Sequence, residues 1–517
     1  MIKLNIFAAC LTLSVCFSAN AQVKTIPPKF ENKTDPGKIT TSSPVTKLAK
    51  PNTSVPVKKD PEKNEISSYS VSKPVNFSYG KPLTLKDSIK TALKKNPELK
   101  LGELKIEESR LLYQAQQRNI LPKISLEATF LRWDSALPMS FGSPSNMVIP
   151  EDCPIGCMSF LASMFSDLGN LREMYTQNYK ITVVQPITAS FAILNMIKAR
   201  KIDIDVSEIE NDLNILSVKF KVVNAYIQVL QAREFLKVTE KSEILLREHL
   251  KRAMKFYKAE LISKSEILRL NTALGNAVQQ RLEAQSGYSI ASEVLKMHMG
   301  ISDKTVFNPT ENFPIPASPV QISFDEALRT MEANRKEIKT LKKKLEIVRL
   351  SHKASQTMAL PSANVMFQWE HNEGLGSLQP ATSWFVGINL SYTFEWNKKL
   401  LEADHVKAQM YRIMAAERQL NLALRVNLKT SLEKVRTSWN KISIAKTALK
   451  EARETLRLEE LQFSVSNKTS ISLLDAQTRY DGASVNLVNS IYEYYKNVAN
   501  LMYAMGTGHI KGSNLTW

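Results

Sequence analysis

Between Asn397 and Asp481 the chain contains neither glycine nor proline. Apolar residues recur there in steps of three and four, from Val406, Met410 and Ile413 through Leu428, Leu432 and Val435 to Leu449, Ala452 and Leu456, broken once at Glu417. Such spacing draws one stripe down a helix. At about 1.5 Å per residue, Leu400 to Leu461 makes a rod of roughly 90 Å. A single globular core has no room for it, so the rod must lie against other long helices. A second stretch without glycine or proline, Ile187 to Leu274, has the same character. Its helical pattern breaks near Glu260-Leu-Ile-Ser-Lys-Ser-Glu266 and resumes to Met299-Gly300.

The rods belong to a duplicated unit. A shift of 239 residues places Leu85 on Phe324, Ile89 on Leu328, Arg110 on Arg349 and Leu121-Pro122 on Leu360-Pro361. Further along a shift of 206 places Tyr288 on Tyr494 and Met299-Gly300 on Met505-Gly506. Each half therefore reads as helix, strand, strand, very long helix, turn, helix. The halves span 81–300 and 320–508, joined by a Pro-rich linker over 301–319 and followed by a tail over 509–517.

The strands alternate in a way that suits lipid on one side. Trp384, Val386, Ile388, Leu390, Tyr392 and Phe394 share one face, and Phe385, Gly387, Asn389, Ser391, Thr393 and Glu395 the other. Val365, Phe367 and Trp369 do the same opposite Gln368 and Glu370. In the first half Ile124, Leu126, Ala128 and Phe130 alternate with polar residues, and a second strand runs around Tyr179 to Val184. Apolar faces with aromatic ends fit a membrane barrel. Four strands do not close a barrel around a channel, so several chains must contribute.

Residues 1–21 read as a secretory signal: Lys3, an apolar run to Phe17, then Ala19-Asn20-Ala21, with the mature chain beginning at Gln22. Lipoprotein processing at Cys16 is the weaker alternative, because Val15 is too bulky for the preceding position. An exported chain then keeps two cysteines, Cys153 and Cys157, in a loop from Asp134 to Gln177, and a disulfide is expected. Residues 22–80 hold many Lys, Ser, Thr and Pro residues with little to bury, and read as an extended leader. Composition does not fix its role: a plain spacer first, a tether or a contact with anionic cell-wall polymer as alternatives. No run of 18 apolar residues follows the signal, so any membrane contact is made by strands.

Against this background the chain resembles the TolC family of outer-membrane efflux and secretion channels, over about Lys81 to Gly508. The resemblance is carried by Leu83-Thr-Leu and Ala92-Leu-Lys-Lys-Asn-Pro97, by Ile322-Ser-Phe-Asp-Glu-Ala-Leu328, by the two Leu-Pro steps and by the Leu473-Leu-Asp-Ala476 turn. It implies a mainly helical fold with membrane strands. Three copies would each give four strands to one twelve-stranded barrel in outer-membrane lipid, and helical hairpins would form a tunnel across the periplasm. It also implies a periplasmic adaptor and an inner-membrane transporter as partners. In the family a pair of aspartates narrows the tunnel near the tip; here Asp475 holds one position and Ser472 the other. The same alignment puts Lys468 at a basic latch position and Glu266 at its acidic partner, bridging neighbouring chains. Phe463 stands where the family has a latch tyrosine, and Glu260 and Ser466 where it has tip glycines.

Other functions lack support in the residues. The six histidines are scattered and there is no phosphate-binding glycine loop, so neither an enzyme nor a cofactor is expected. His298 with Met297 and Met299, and the loop methionines, are explained by packing rather than metal. The net charge of +19 is spread along helices and leader without an aromatic-interleaved patch, which argues against nucleic acid. The rival reading is an adhesive surface protein with a barrel anchor and a coiled-coil stalk but no conduit. Drug, metal and protein substrates are not distinguishable from these residues.

Overall fold

Capping chemistry sets the first structured element. In the computed structural model, which describes residues 80–138, 170–302, 306–311, 313–316, 318–376, 380–465, 469–511, 513 and 515, helix α1 (Leu85–Lys95) begins at Thr84. The Thr84 hydroxyl oxygen accepts the Asp87 amide at 3.1 Å. Asn96 ends α1 in extended backbone and caps α2 (Pro97–Arg118), where Pro97 occupies a position that needs no amide donor. The sequence reads one helix here; the Asn-Pro step makes it two. The corresponding pair in the second half is α5 (Phe324–Asn334), capped by Ser323, and α6 (Lys336–Met358).

Two long helices follow the strands of each half: α3 (Thr188–Lys258) with α4 (Lys264–Met299), and α7 (Lys398–Ser464) with α8 (Ser470–Met505). The 71 residues of α3 run about 105 Å. α3 pairs with α4, α7 with α8, and α3 also packs on α2, α6 and α8. Among the described residues no helix is long and apolar enough to cross a membrane.

Where α3, α7 and α8 run side by side, Val222, Tyr226, Leu230, Leu428, Leu432, Tyr495, Val498 and Leu501 close the main core. A short parallel ribbon straps it, β1 (Lys81–Leu83) against β5 (Phe307–Pro309). The strap is held by side chains from the helices. The Tyr226 hydroxyl donates to the Leu83 carbonyl at 2.9 Å, the Tyr495 hydroxyl to that of Pro314 at 2.8 Å, and the Arg233 guanidinium to that of Pro309. Much of the Pro-rich linker is therefore bonded structure. The tail also turns inward: Ile510 and Leu515 are buried in the same core.

α4 and α8 end alike. Gly300 and Gly506 adopt positive φ (70° and 69°), and the next residue's amide reaches back five residues, Ile301 to Lys296 and Thr507 to Met502. Each glycine then seats on the matching helix junction, Gly300 on Lys95-Asn96 and Gly506 on Asn334-Arg335. A Cβ at Gly300 would stand only 2.4 Å from the Lys95 carbonyl oxygen, so no other residue fits there unchanged.

At the far end from the tips, β2 (Lys123–Arg132), β4 (Asn170–Pro186), β6 (Ser362–Leu375) and β7 (Thr382–Ser391) form an antiparallel meander in the order β2-β4-β6-β7. β3 (Leu137–Pro138) pairs with the start of β4. β4 begins well before the expected Tyr179, and Asn170 to Gln177 is strand rather than loop. Register sorts the faces. One carries Leu126, Ile181, Trp369 and Trp384 in a row, next to Ile124, Val183, Phe367 and Val386. The other carries Glu127, Lys180, Glu370 and Ser383, next to Thr129, Asn178 and Asn372.

Candidate functional site: helical tips and open sheet

The tip turns decide what the lower end presents. α3 ends with Glu260 at φ 60°, where the Leu261 amide donates to the Phe256 carbonyl at 2.9 Å. A non-glycine residue thus occupies the left-handed position that glycine fills after α4 and α8. Beneath the turn, Ala253, Ile267, Leu270, Leu456, Phe463, Leu473 and Ala476 pack as a separate small core from α3, α4, α7 and α8. Phe463 is one of its anchors, 3% exposed, with its ring edge-on to Phe256 at 6.0 Å.

Glu266 does not stand free at this end. Its Oε2 accepts the backbone amide of Ser470 at 2.9 Å and also the Ser470 hydroxyl, while Oε1 lies 3.5 Å from the Arg269 guanidinium. Ser470 is the first residue of α8, whose own preceding residue, Thr469, makes no side-chain cap. The carboxylate from the neighbouring hairpin supplies it. A negative group at a helix N-terminus is also favoured by the helix dipole. The expected partner Lys468, like Cys153 and Cys157, lies outside the described residues.

Asp475 sits in the second turn of α8, exposed, with Ser472 half-buried one turn earlier. Its Oδ2 is 2.9 Å from Nε of Arg479, four residues on. The i, i+4 spacing signals that cation in the sequence, though the family resemblance does not point to it. Higher up, the Asp481 carboxylate accepts the Ser242 hydroxyl at 2.6 Å and the Gln477 amide at 2.9 Å, tying α8 to α3. Burial pushes the Asp481 carboxyl up, against those two hydrogen bonds. His249 on α3 is buried, with Nε2 3.4 Å from Glu460 Oε1 on α7. Burial holds its imidazole below the ordinary value, assisted by Arg252.

The sheet at the opposite end is unfinished. β2 and β7 each pair on one side only. Their outward residues are bare: Leu126 is 76% exposed, Val386 63% and Leu390 74%. Tyr392, Phe394 and Trp396 extend the apolar strip beyond β7 toward α7, and all three are exposed. Proteins surrounded by water rarely leave such a surface uncovered. On the polar face Glu370 accepts from Asn178 at 2.6 Å and from Gln368 at 3.2 Å. Among the described residues no group of His, Cys, Asp and Glu has the arrangement of a metal site.

An open four-stranded sheet with one apolar face, set on long paired helices, is the protomer fold of outer-membrane channels. The channel CmeC of Campylobacter jejuni superposes with a TM-score of 0.64 at 17% identity, over 90% of this chain and 96% of that one. The MtrE channel of Neisseria gonorrhoeae, crystallised in its open state, gives 0.60 at 16% identity, over 82% and 89%. Residues 327–507 match the family described as Outer membrane efflux protein. The outer membrane protein TolC of Salmonella enteritidis is 30% identical over 123 residues, and that of Escherichia coli K12 is 29% identical. The aligned stretch covers 23% of this chain and spans 25% of those curated relatives. Residues 327–507 thus match the Outer membrane efflux protein family, the chain is similar over a shorter stretch to TolC, and its fold is that of outer-membrane channels.

Proposed function

We propose that the chain is the outer-membrane conduit of a tripartite export machine, working as a homotrimer with a periplasmic adaptor and an inner-membrane transporter. The observation that carries this is the four-strand meander: its outer face is apolar, its inner face polar, and both edges are open. Edge β7 of one copy pairing with edge β2 of the next removes every free edge once three copies join. The polar row Glu127, Lys180, Glu370 then lines a water-filled lumen, and Trp384 with Val386 faces lipid. Exposed apolar residues on α2 (Leu101, Leu104) and α7 (Leu422, Val426) give the helices matching surfaces to bury in the trimer.

At the tips, Asp475 and Ser472 lie at the narrowest point of the tunnel. Glu266 and Lys468 act in holding it shut, with Phe463 anchoring the small core behind them. Glu266 is already bonded to Ser470 and Arg269 within its own chain, so a bridge to Lys468 would have to share or displace those contacts. Export to an oxidising compartment favours a disulfide between Cys153 and Cys157. The stalk alternative gains no support, since the matched family and the fold neighbours are channels.

The test is direct. Protein extracted in mild detergent should have the mass of three chains by light scattering and give single-channel currents in a planar bilayer. A monomeric extract without currents would sink the proposal.

A further inference from the structure

We infer that Arg479 sets the charge selectivity of the channel at its tip, by turning the Asp475 ring from a ring of bare carboxylates into a ring of charge pairs. The inference rests on the channel function proposed above, because it assumes that these residues face the conducting path.

Asp475 and Arg479 are both well exposed, at 60% and 71%, and stand one turn apart on the same face of α8. Among the described residues, neither has another ion-pair partner. Of the other acids at the tips, Glu266 is occupied by Ser470 and Arg269, and Glu260 sits on the α3–α4 turn between the exposed Lys258 and Lys264. Ser472, three residues before Asp475, is neutral. On this face of α8 each chain therefore brings one negative and one positive group, and the three pairs sum to zero.

That sum does not depend on a tight bridge. When water separates the pair, both charges stay on one helix face, within a Debye length of about 8 Å. A lone carboxylate acts on a passing ion as the inverse of distance, whereas a pair about 3 Å apart is weakened further by the ratio of separation to distance. At the range of a narrow pore axis this leaves roughly a third of the field of the bare acid. Small cations and small anions are then accepted about equally.

The test uses the full chain in planar bilayers under a tenfold KCl gradient. The unmodified channel should reverse near 0 mV, Arg479→Gln should move toward the potassium limit and Asp475→Asn toward the chloride limit. Arg479→Lys should restore the original value. A second measurement needs no current: Thr478→Cys, exposed on the same face of α8, is labelled with ammonium and with sulfonate methanethiosulfonates. Labelling of the chain without that cysteine is subtracted. Adding Arg479→Gln should raise the ammonium-to-sulfonate rate ratio about two- to fivefold, less at high salt, and Asp475→Asn should lower it. A reversal potential and a labelling ratio both unmoved by Arg479→Gln overturn the inference even in a conducting channel. Absence of current with a shifted labelling ratio rejects selectivity and the conduit while leaving the charge pair in place.

Discussion

Glu266 of α4 accepts the amide proton of Ser470, the first residue of α8, at 2.9 Å, so the first hairpin caps the second within one chain. The two tips are therefore mechanically joined before any contact between chains. Loss of a cap of this type costs about 1 kcal/mol, and a charged acceptor lies at the upper end. Glu266→Ala should raise amide exchange over the first turn of α8 about tenfold. Ser470→Ala, which keeps the backbone donor, should have the smaller effect. Hydrogen-exchange mass spectrometry on the detergent-solubilised protein checks both, and equal effects would mean that the hydroxyl rather than the amide is the working partner.

Glu260 stores strain in the α3–α4 turn. At φ 60° its Cβ crowds the backbone, a conformation that costs non-glycine residues roughly 1–2 kcal/mol, offset in glycine by about 0.5–1 kcal/mol of chain entropy. Glu260→Gly should leave the tip as stable or up to about 1 kcal/mol more so, while Glu260→Val should destabilise it. Exchange rates over the turn rank the three, and a Val variant at least as protected as the Gly variant would contradict the assigned geometry.

The long helices were legible because the absence of glycine and proline is itself a signal, and the stripe through Leu428, Leu432 and Val435 became the buried seam. The β6 and β7 faces followed from alternation alone. What was not legible depends on partners distant in sequence. Asn170 to Gln177 mixes polar and apolar residues on both sides, with no clean alternation, and becomes strand through pairing with β2, β3 and β6. The Glu266–Ser470 contact joins residues 204 apart. The internal cap arises because Thr469 leaves its helix start unsatisfied, which no local pattern announces. Arg479 is readable at i+4 from Asp475, but the family resemblance points to Asp475, Ser472, Lys468, Glu266 and Phe463 and not to it.

Two half-buried carboxylates should give opposite pH slopes. Burial raises Glu210, but the Lys105 and Lys344 ammonium groups at 2.6 and 2.7 Å outweigh it and hold the carboxyl below the usual range. Its contribution is therefore present above the unfolded value of about 4.3 and is lost as pH falls through the lower folded value. Because the site is half open to solvent, Glu210→Gln should cost no more than about 1 kcal/mol at pH 7, and less as pH falls through the carboxyl's folded value. Asp481 is raised, so its ionisation opposes folding as pH climbs through its folded value. Asp481→Asn should raise the melting temperature at pH 8 relative to pH 4. Thermal melts across pH decide, and parallel slopes for the two variants would refute the assignment.

The tail is part of the core. Leu515 is 1% exposed and Ile510 4% exposed, packed with the residues that α3 and α8 bury. Truncating a fully buried leucine to alanine costs about 2–5 kcal/mol. Leu515→Ala should lower the denaturation midpoint, and deletion from 509 onward should lower it further. A tail deletion that melts like the full chain would show that these side chains are not held in solution.

The two faces of β7 should respond to charge in opposite ways. Val386 shares its face with Phe367 and Trp384, while Ser383 stands opposite Glu370 on the polar side. An arginine on the lipid face near mid-membrane costs about 2–4 kcal/mol per chain, and three chains multiply the penalty. In the lumen the same side chain keeps its water and gains an acidic neighbour. Val386→Arg should therefore cut the fraction assembled in the outer membrane at least tenfold, and Ser383→Arg should leave it within about twofold. The assembled fraction is read as oligomer resistant to detergent in isolated membranes. Should both variants assemble equally well, the apolar face meets protein or water instead of lipid, and the sheet is not a barrel segment.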